Sequence, residues 1–229
     1  MTDIQRESPV SFSARPVRTE KRDHWDVVLE YENEDNGPWL IDLSYCPRWD
    51  VQDRNISDFK IFGNPVPENP NACVFTNGIM LNRMNGTQVS VWHLSEDQTE
   101  ALAESSAENA FTDTTDATVF LALPGENVFA IVEKLTDLDF LNPKQQPPFL
   151  VQGPFSHVPC QIVVADREKM GESPFASGKS GLMLLTCSRG YAHDMVHAIL
   201  DAGEEFGLRP AGEGKFMEIL SELYGLSEN

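Results

Sequence analysis

The stretch that most constrains the fold runs from Gly181 to Gly214, GLMLLTCSRGYAHDMVHAILDAGEEFGLRPAGEG, because it strings strand, turn, helix and cap together without a gap. Leu182 to Cys187 is a short apolar run suited to a buried strand, and Ser188-Arg189-Gly190 interrupts it. From there Ala192, Met195, Val196, Ile199 and Leu200 recur at the spacing of one helix face. Gly203 or Gly207 is suited to end that helix.

Upstream, residues 1 to about 23 mix Ser, Pro and charge without periodicity, so a flexible arm is expected there. Its Arg6, Arg15, Arg18, Lys21 and Arg22 make it richer in positive charge than the rest, which suits docking on an acidic surface or a solvated tail. His24 to Tyr31, Trp39 to Ser44 and Trp49 to Val51 read as strands. Arg48 beside Trp49 reads as packing with a snorkelled cation. Residues 56–70, rich in Asn and Pro, read as a loop with one short helical turn at most.

Asn77 to Leu94 predicts a β-hairpin turning at Asn85-Gly86, a strong short-range hairpin signal. Ser95 to Ala110, polar and rich in Ala and Glu, predicts an exposed helix. Thr112 to Leu123 returns to strand up to Pro124-Gly125, and Glu126 to Leu135 carries apolar residues at helical spacing. A Pro-containing connection over 138–148, a strand from His157 to Ala165 and a closing amphipathic helix through Phe216, Ile219, Leu220 and Leu223 complete the chain. Strands and helices mix without a regular βαβ alternation, which predicts an α+β fold with antiparallel sheets and packed helices. The domain expectation is an arm over 1–23 and one domain over 24–229, with subdomains of about 24–111 and 112–229.

The net charge of −19 repels phosphate backbones, so nucleic acid is not an expected partner. No apolar run approaches the roughly 20 residues of a membrane span. The first residues lack an apolar signal core, and a cytoplasmic location is expected by default. Cys46, Cys73, Cys160 and Cys187 form no CxxC pair, so they read as reduced, mostly buried thiols.

His193 and His197 lie one helical turn apart with Asp201 a turn further, a spacing that chelates zinc when a third ligand completes a buried site. They fall on the flank opposite Met195, Ile199 and Leu200, where solvated side chains belong, so no metal site is assigned and they stay weak candidates. His157 and Cys160 do not face one another on an alternating strand, which leaves Cys160 a structural thiol. Neither a dinucleotide fingerprint, a complete P-loop nor a GxSxG elbow occurs.

Several collinear segments resemble one family. The strand GLMLLTC, the helix AHDMVHAILDAGEEFGL and the RPAG of Arg209 to Gly212 are similar to the strand, helix and "EAG-EFGLRP-G" segment of the folate-binding glycine-cleavage T-protein aminomethyltransferases. IDLS at Ile41 to Ser44, NGIMLNRMNGTQVSVWHLS and FLALPGENVFAIVEKL resemble that family's early strand, central hairpin and "LQGP" strand, turn and helix. The closer resemblance is to the family's short relatives, the gamma subunits of heterotetrameric sarcosine oxidase.

The resemblance implies a folate-binding aminomethyltransferase-like fold in two subdomains. It implies an acidic residue on the central hairpin, where this chain reads Thr87-Gln88, and a second in the strand Leu182 to Leu185, where Met183 or a neighbour stands. A neutral Met accepts none of the paired hydrogen bonds that a pterin offers. Lys215 stands for a basic residue after RP-G without the forked geometry of Arg. These departures imply a subunit without catalytic residues of its own, in a complex that demethylates N-methylated amines oxidatively, with flavin on a partner flavoprotein and other subunits beside it. Asn82, Gln88, Tyr191 and Lys215 would line a remnant folate pocket, with tetrahydrofolate as its ligand. The alternatives are a minimal tetrahydrofolate-dependent aminomethyl or methyl transferase and a stand-alone folate-sensing or assembly protein.

Overall fold

The computed structural model describes residues 5–94, 111–167 and 180–225. The exposed helix expected over Ser95 to Ala110, and the loop expected through Ser173-Pro174, lie outside them. In chain order, β1 (Pro16–Arg22) and β2 (Trp25–Tyr31) form a hairpin, followed by β3 (Trp39–Asp42) and β4 (Arg48–Gln52). A single 3-10 turn (Ile56–Asp58) and the two-residue strands β5 (Lys60–Ile61) and β6 (Asn64–Pro65) occupy the stretch read as a loop. Next come β7 (Cys73–Thr76), β8 (Ile79–Asn85), β9 (Gln88–His93), β10 (Phe111–Asp113) and β11 (Thr118–Glu126). The remainder is α1 (Val128–Val132), β12 (Phe149–Phe155), β13 (Val158–Arg167), β14 (Ser180–Ser188), α2 (Ala192–Gly203), β15 (Arg209–Ala211) and α3 (Glu213–Tyr224).

Two sheets dominate, one ordered β10-β4-β9-β8-β7 and one ordered β12-β13-β14-β11-β3-β15. Every pairing in them is antiparallel except β15 with β3. The architecture is therefore α+β, as the mixed pattern predicts. Met80, Met84 and Trp92 of the first sheet pack with Ile41, Phe120, Ala122, Val163, Leu182 and Leu184 of the second, and Phe216 and Leu220 of α3 close the same cluster. The other face of the second sheet, through Val119, Leu121, Met183 and Leu185, meets Ile131 of α1 and Met195, Val196 and Ile199 of α2. The second sheet is thus buried on both faces, which is why β11 and β14 read as near-continuous apolar runs.

The chain halves do not map onto these sheets. A boundary at 111/112 falls inside β10, and β3 from the first half sits between β11 and β15 from the second. The arm also differs from its expectation, since Pro16 to Arg22 is a strand paired with β2. Its cations are used within the chain: Arg6 pairs with Asp23 and Asp116, Arg15 with Glu32, Arg18 with Glu30, Lys21 with Asp26, and Arg22 with Glu213. The acidic surface on which the arm docks is its own body.

β12 had no strand signal, because Gly153 and Pro154 break the pattern. It is an edge strand, where a missing N–H costs little. A Cβ at Gly153 would stand 2.8 Å from Leu138 Cδ2, so the connection after α1 packs closely on this glycine and a larger residue would make the Leu138 side chain shift. α1 is shorter than the apolar spacing over Glu126 to Leu135 suggested, and it starts from Asn127 in the left-handed region.

Candidate functional site

The residues offered for a remnant folate pocket do not converge. Asn82 lies in β8 opposite Cys73 of β7 and Ser90 of β9, and it is fully buried. Neither its Oδ1 nor its Nδ2 has a partner among the described residues. Alternation along β8 puts it on the same face as Met80 and Met84, toward the second sheet, where Gln161 Oε1 is also unpartnered. A pterin-sized ligand reaches that position only if the sheets part.

Gln88 is near Asn82 on the same hairpin but its amide is engaged. Its Nε2 donates to Asp50 Oδ1 at 2.8 Å and its Oε1 accepts from Asn85 Nδ2 at 3.0 Å. Tyr191, 47% exposed, lies in the 3-10 turn after Ser188, beyond the C-terminal end of β14. Lys215 is in α3 and lines a groove with Gly181 and Leu182, at the other end of that strand. At about 3.3 Å per residue the two ends are on the order of 20 Å apart. The four residues therefore do not fit a single folate site.

Lys215 belongs instead to a groove of ≈ 280 Å³ between α3 and the end of the six-stranded sheet. Its ammonium contacts Glu218 Oε2 at 2.5 Å and stands 5.5 Å from the Trp39 ring centroid. Asp166 and Glu222 also line the groove, so among the described residues carboxylates outnumber the one cation there. Nearby Tyr224 donates its hydroxyl to the Ala165 carbonyl, and burial pushes its pKa up to about 12, with Asp166 adding to the effect. Taken over the described residues, the groove is amphipathic and net-acidic, with the Trp39 ring as an aromatic face.

Met183, where a carboxylate was expected, faces away from this groove. It is buried among Leu121, Leu123, Val132, Phe155, Leu185 and Ile199. A carboxylate in that shell would be desolvated without a partner, at a cost of several kcal/mol. Leu182 is the β14 residue that lines the groove.

His193 and His197 occupy the solvated flank of α2, with ring centroids 6.3 Å apart. His197 Nδ1 is 2.9 Å from Asp201 Oδ2, and both side chains are about two-thirds exposed. Among the described residues no group of three or more His, Cys, Asp or Glu is placed to hold a metal ion.

Three interior polar groups, Arg48 and Glu213 buried and Asp42 half-buried, were not evident from sequence. Arg48 is 1% exposed, and its guanidinium donates to the carbonyls of Cys46 at 2.5 Å, Thr115 at 2.8 Å and Thr118 at 3.0 Å. Burial pushes its pKa down to about 10, so it remains charged at neutral pH while pinning two loops to β4. Asp42 accepts from the Ser44 backbone N–H at 2.9 Å and from Ser8 Oγ at 2.5 Å. Glu213, 5% exposed at the start of α3, pairs with Arg22 at 2.7 Å. The one available signal for Arg48 was its parity in RWDVQ, which sets it on the strand face that the second sheet covers.

Among solved structures, the chain is similar to a chain of the heterotetrameric sarcosine oxidase from Corynebacterium sp. U-96 in complex with pyrrole 2-carboxylate. The TM-score is 0.54 at 12% identity, over 73% of this chain and 84% of that one. The fold is like that of a sarcosine oxidase subunit. No family model matches the chain, and no curated protein matches it. At this identity the likeness is one of backbone arrangement, and the sarcosine oxidase-like fold carries no residue role with it. No helix among the described residues is long and apolar enough to cross a membrane.

Proposed function

We propose that this chain is an accessory, gamma-like subunit of a sarcosine oxidase-like complex that demethylates N-methylated amines oxidatively, with flavin held by a partner flavoprotein. The observation that carries the reading is the fold likeness to one chain of a heterotetramer. Since 73% of 229 residues corresponds to 84% of the other chain, that subunit is about 200 residues long, close to this chain in size. The dispersal of Asn82, Gln88, Tyr191 and Lys215 supports an accessory part in the chemistry, because gripping a pterin needs several donors and acceptors aimed at one ring.

The test is affinity purification of the tagged full chain from its native lysate, with flavin absorbance and mass spectrometry on what accompanies it. A flavoprotein in stoichiometric amount, together with sarcosine-dependent oxidation by the complex, is expected. A chain that recovers alone as a monomer would overturn the reading. So would tight binding of tetrahydrofolate by the purified chain in calorimetry, or one-carbon transfer by it without partners.

A further inference from the structure

β13 and β14 run antiparallel with Cys160 directly opposite Cys187. Residues opposed in this way have Cα atoms about 4.5 or about 5.5 Å apart, depending on which ladder position they hold. Both spacings fall within the roughly 4.4–6.8 Å that a disulfide spans. The two side chains enter the same apolar cluster, so they leave the sheet on one face. Both are buried, the Cys160 thiol donating to the Val158 carbonyl at 3.3 Å and the Cys187 thiol to the Ser188 carbonyl at 3.7 Å. Strand register alone thus brings two sulfurs, 27 residues apart in the chain, into position for a bond.

We propose that Cys160 and Cys187 form an oxidisable dithiol site, which hydrogen peroxide converts to an intrachain disulfide. Peroxide suits the burial because it is little larger than water, whereas a bulky peptide disulfide would have to displace a strand. Cys187 is the attacking sulfur. The neighbouring Cys160 thiol holds the Cys187 pKa below its ordinary value, whereas Cys187 and burial push that of Cys160 up. The thiolate is the reactive form.

The Cys187 thiolate takes one peroxide oxygen as the O–O bond breaks, and the other oxygen leaves as hydroxide and gains a proton to become water. Cys187 is then a sulfenic acid. The Cys160 sulfur displaces that hydroxyl: the S–S bond forms, the S–O bond breaks, and the departing hydroxide leaves with the Cys160 proton as a second water. Two thiols lose two electrons and two protons, and peroxide is reduced to two waters. The remaining thiols do not share this arrangement. Cys46 is pushed up to about 12 by burial, and burial raises Cys73 as well.

The purified full chain, reduced and freed of reductant, is treated with equimolar hydrogen peroxide, then unfolded in the presence of an alkylating agent. Of its four thiols two are expected to escape alkylation, with a Cys160–Cys187 cross-linked peptide in the digest that dithiothreitol dissolves. The Cys160→Ser variant is expected to stop at a Cys187 sulfenic acid, trapped by dimedone present while the treated chain is unfolded. Far-UV circular dichroism of the oxidised wild type should be unchanged, because the bond joins strands already paired. Four alkylated thiols after treatment, a cross-link through Cys46 or Cys73, or dimedone labelling of wild-type Cys187 without any cross-link would each overturn the proposal. The wild-type thiol count decides the matter even if the variant fails to fold.

Discussion

Asp42 shows how a single carboxylate reports on burial. Desolvation is the largest influence on it and raises its pKa above the ordinary 3.8, against the hydrogen bonds from Ser44 and Ser8 and the nearby Arg48 charge that lower it. The folded state then binds a proton that the unfolded chain has already released. Stability from this group is greatest below the ordinary carboxylate value and falls as pH rises from there through the folded pKa. The urea midpoint of the wild type should therefore carry a component that declines with rising pH across that window, and Asp42→Asn should lack it. Parallel midpoint profiles for the two proteins would show that Asp42 is as well solvated folded as unfolded. Sequence identified Asp42 only as part of IDLS and Arg48 only as a neighbour of Trp49. Residue type does not reveal burial when the covering surfaces come from Ser8 and from residues 115–118, far away in the chain.

At the level of elements, the junction between the β1–β2 hairpin and α3 depends on Gly212. A Cβ there would stand 2.2 Å from the Leu29 carbonyl carbon and 2.3 Å from its oxygen, and these are backbone atoms that cannot rotate away. The Gly212 N–H also donates to Glu34 Oε2 at 2.8 Å, tying the start of α3 to the turn after β2. Gly212→Ala is expected to lose about 1–3 kcal/mol in urea unfolding, the usual cost of overpacking. A loss below about 0.5 kcal/mol, the level of an ordinary surface change, would mean that the hairpin shifts freely. Elements with strong local patterns were legible beforehand: the β8–β9 hairpin around Asn85-Gly86, β14, α2 and α3. β12 was not, because its Gly153 and Pro154 make sense only once it is known to be an edge strand packed on Leu138.

For the whole molecule, the N-terminal arm acts as a strap over a strongly acidic body. Arg6 joins Asp23 and Asp116, Ser8 reaches Asp42, Arg189 reaches the Glu7 carbonyl, and Val10 and Phe12 pack on the cluster shared by α1 and α2. The exposed ion pairs each contribute little, so the apolar contacts and the Ser8–Asp42 bond carry most of the effect. Deleting residues 1–15 is expected to cost about 2 kcal/mol, mostly from the partial exposure of Val10 and Phe12 contacts, and to lower the thermal midpoint accordingly. An unchanged midpoint would leave the arm available for a partner subunit instead. The groove around Lys215 is likewise a property of the assembled molecule, since Trp39, Asp166, Gly181 and Glu222 come from separate parts of the chain.

The sequence by itself determined the α+β class, the apolar runs of the central strands, the helical faces and the tight turns, because each is set by periodicity and turn chemistry over a few residues. Only the tertiary structure decided the partners. It placed β3 between β11 and β15, separated Lys215 from Tyr191, sealed Asn82 between sheets, turned Met183 away from the groove and set Cys160 against Cys187. Those outcomes depend on which distant surfaces can bury one another together, and local pattern carries no information about that choice.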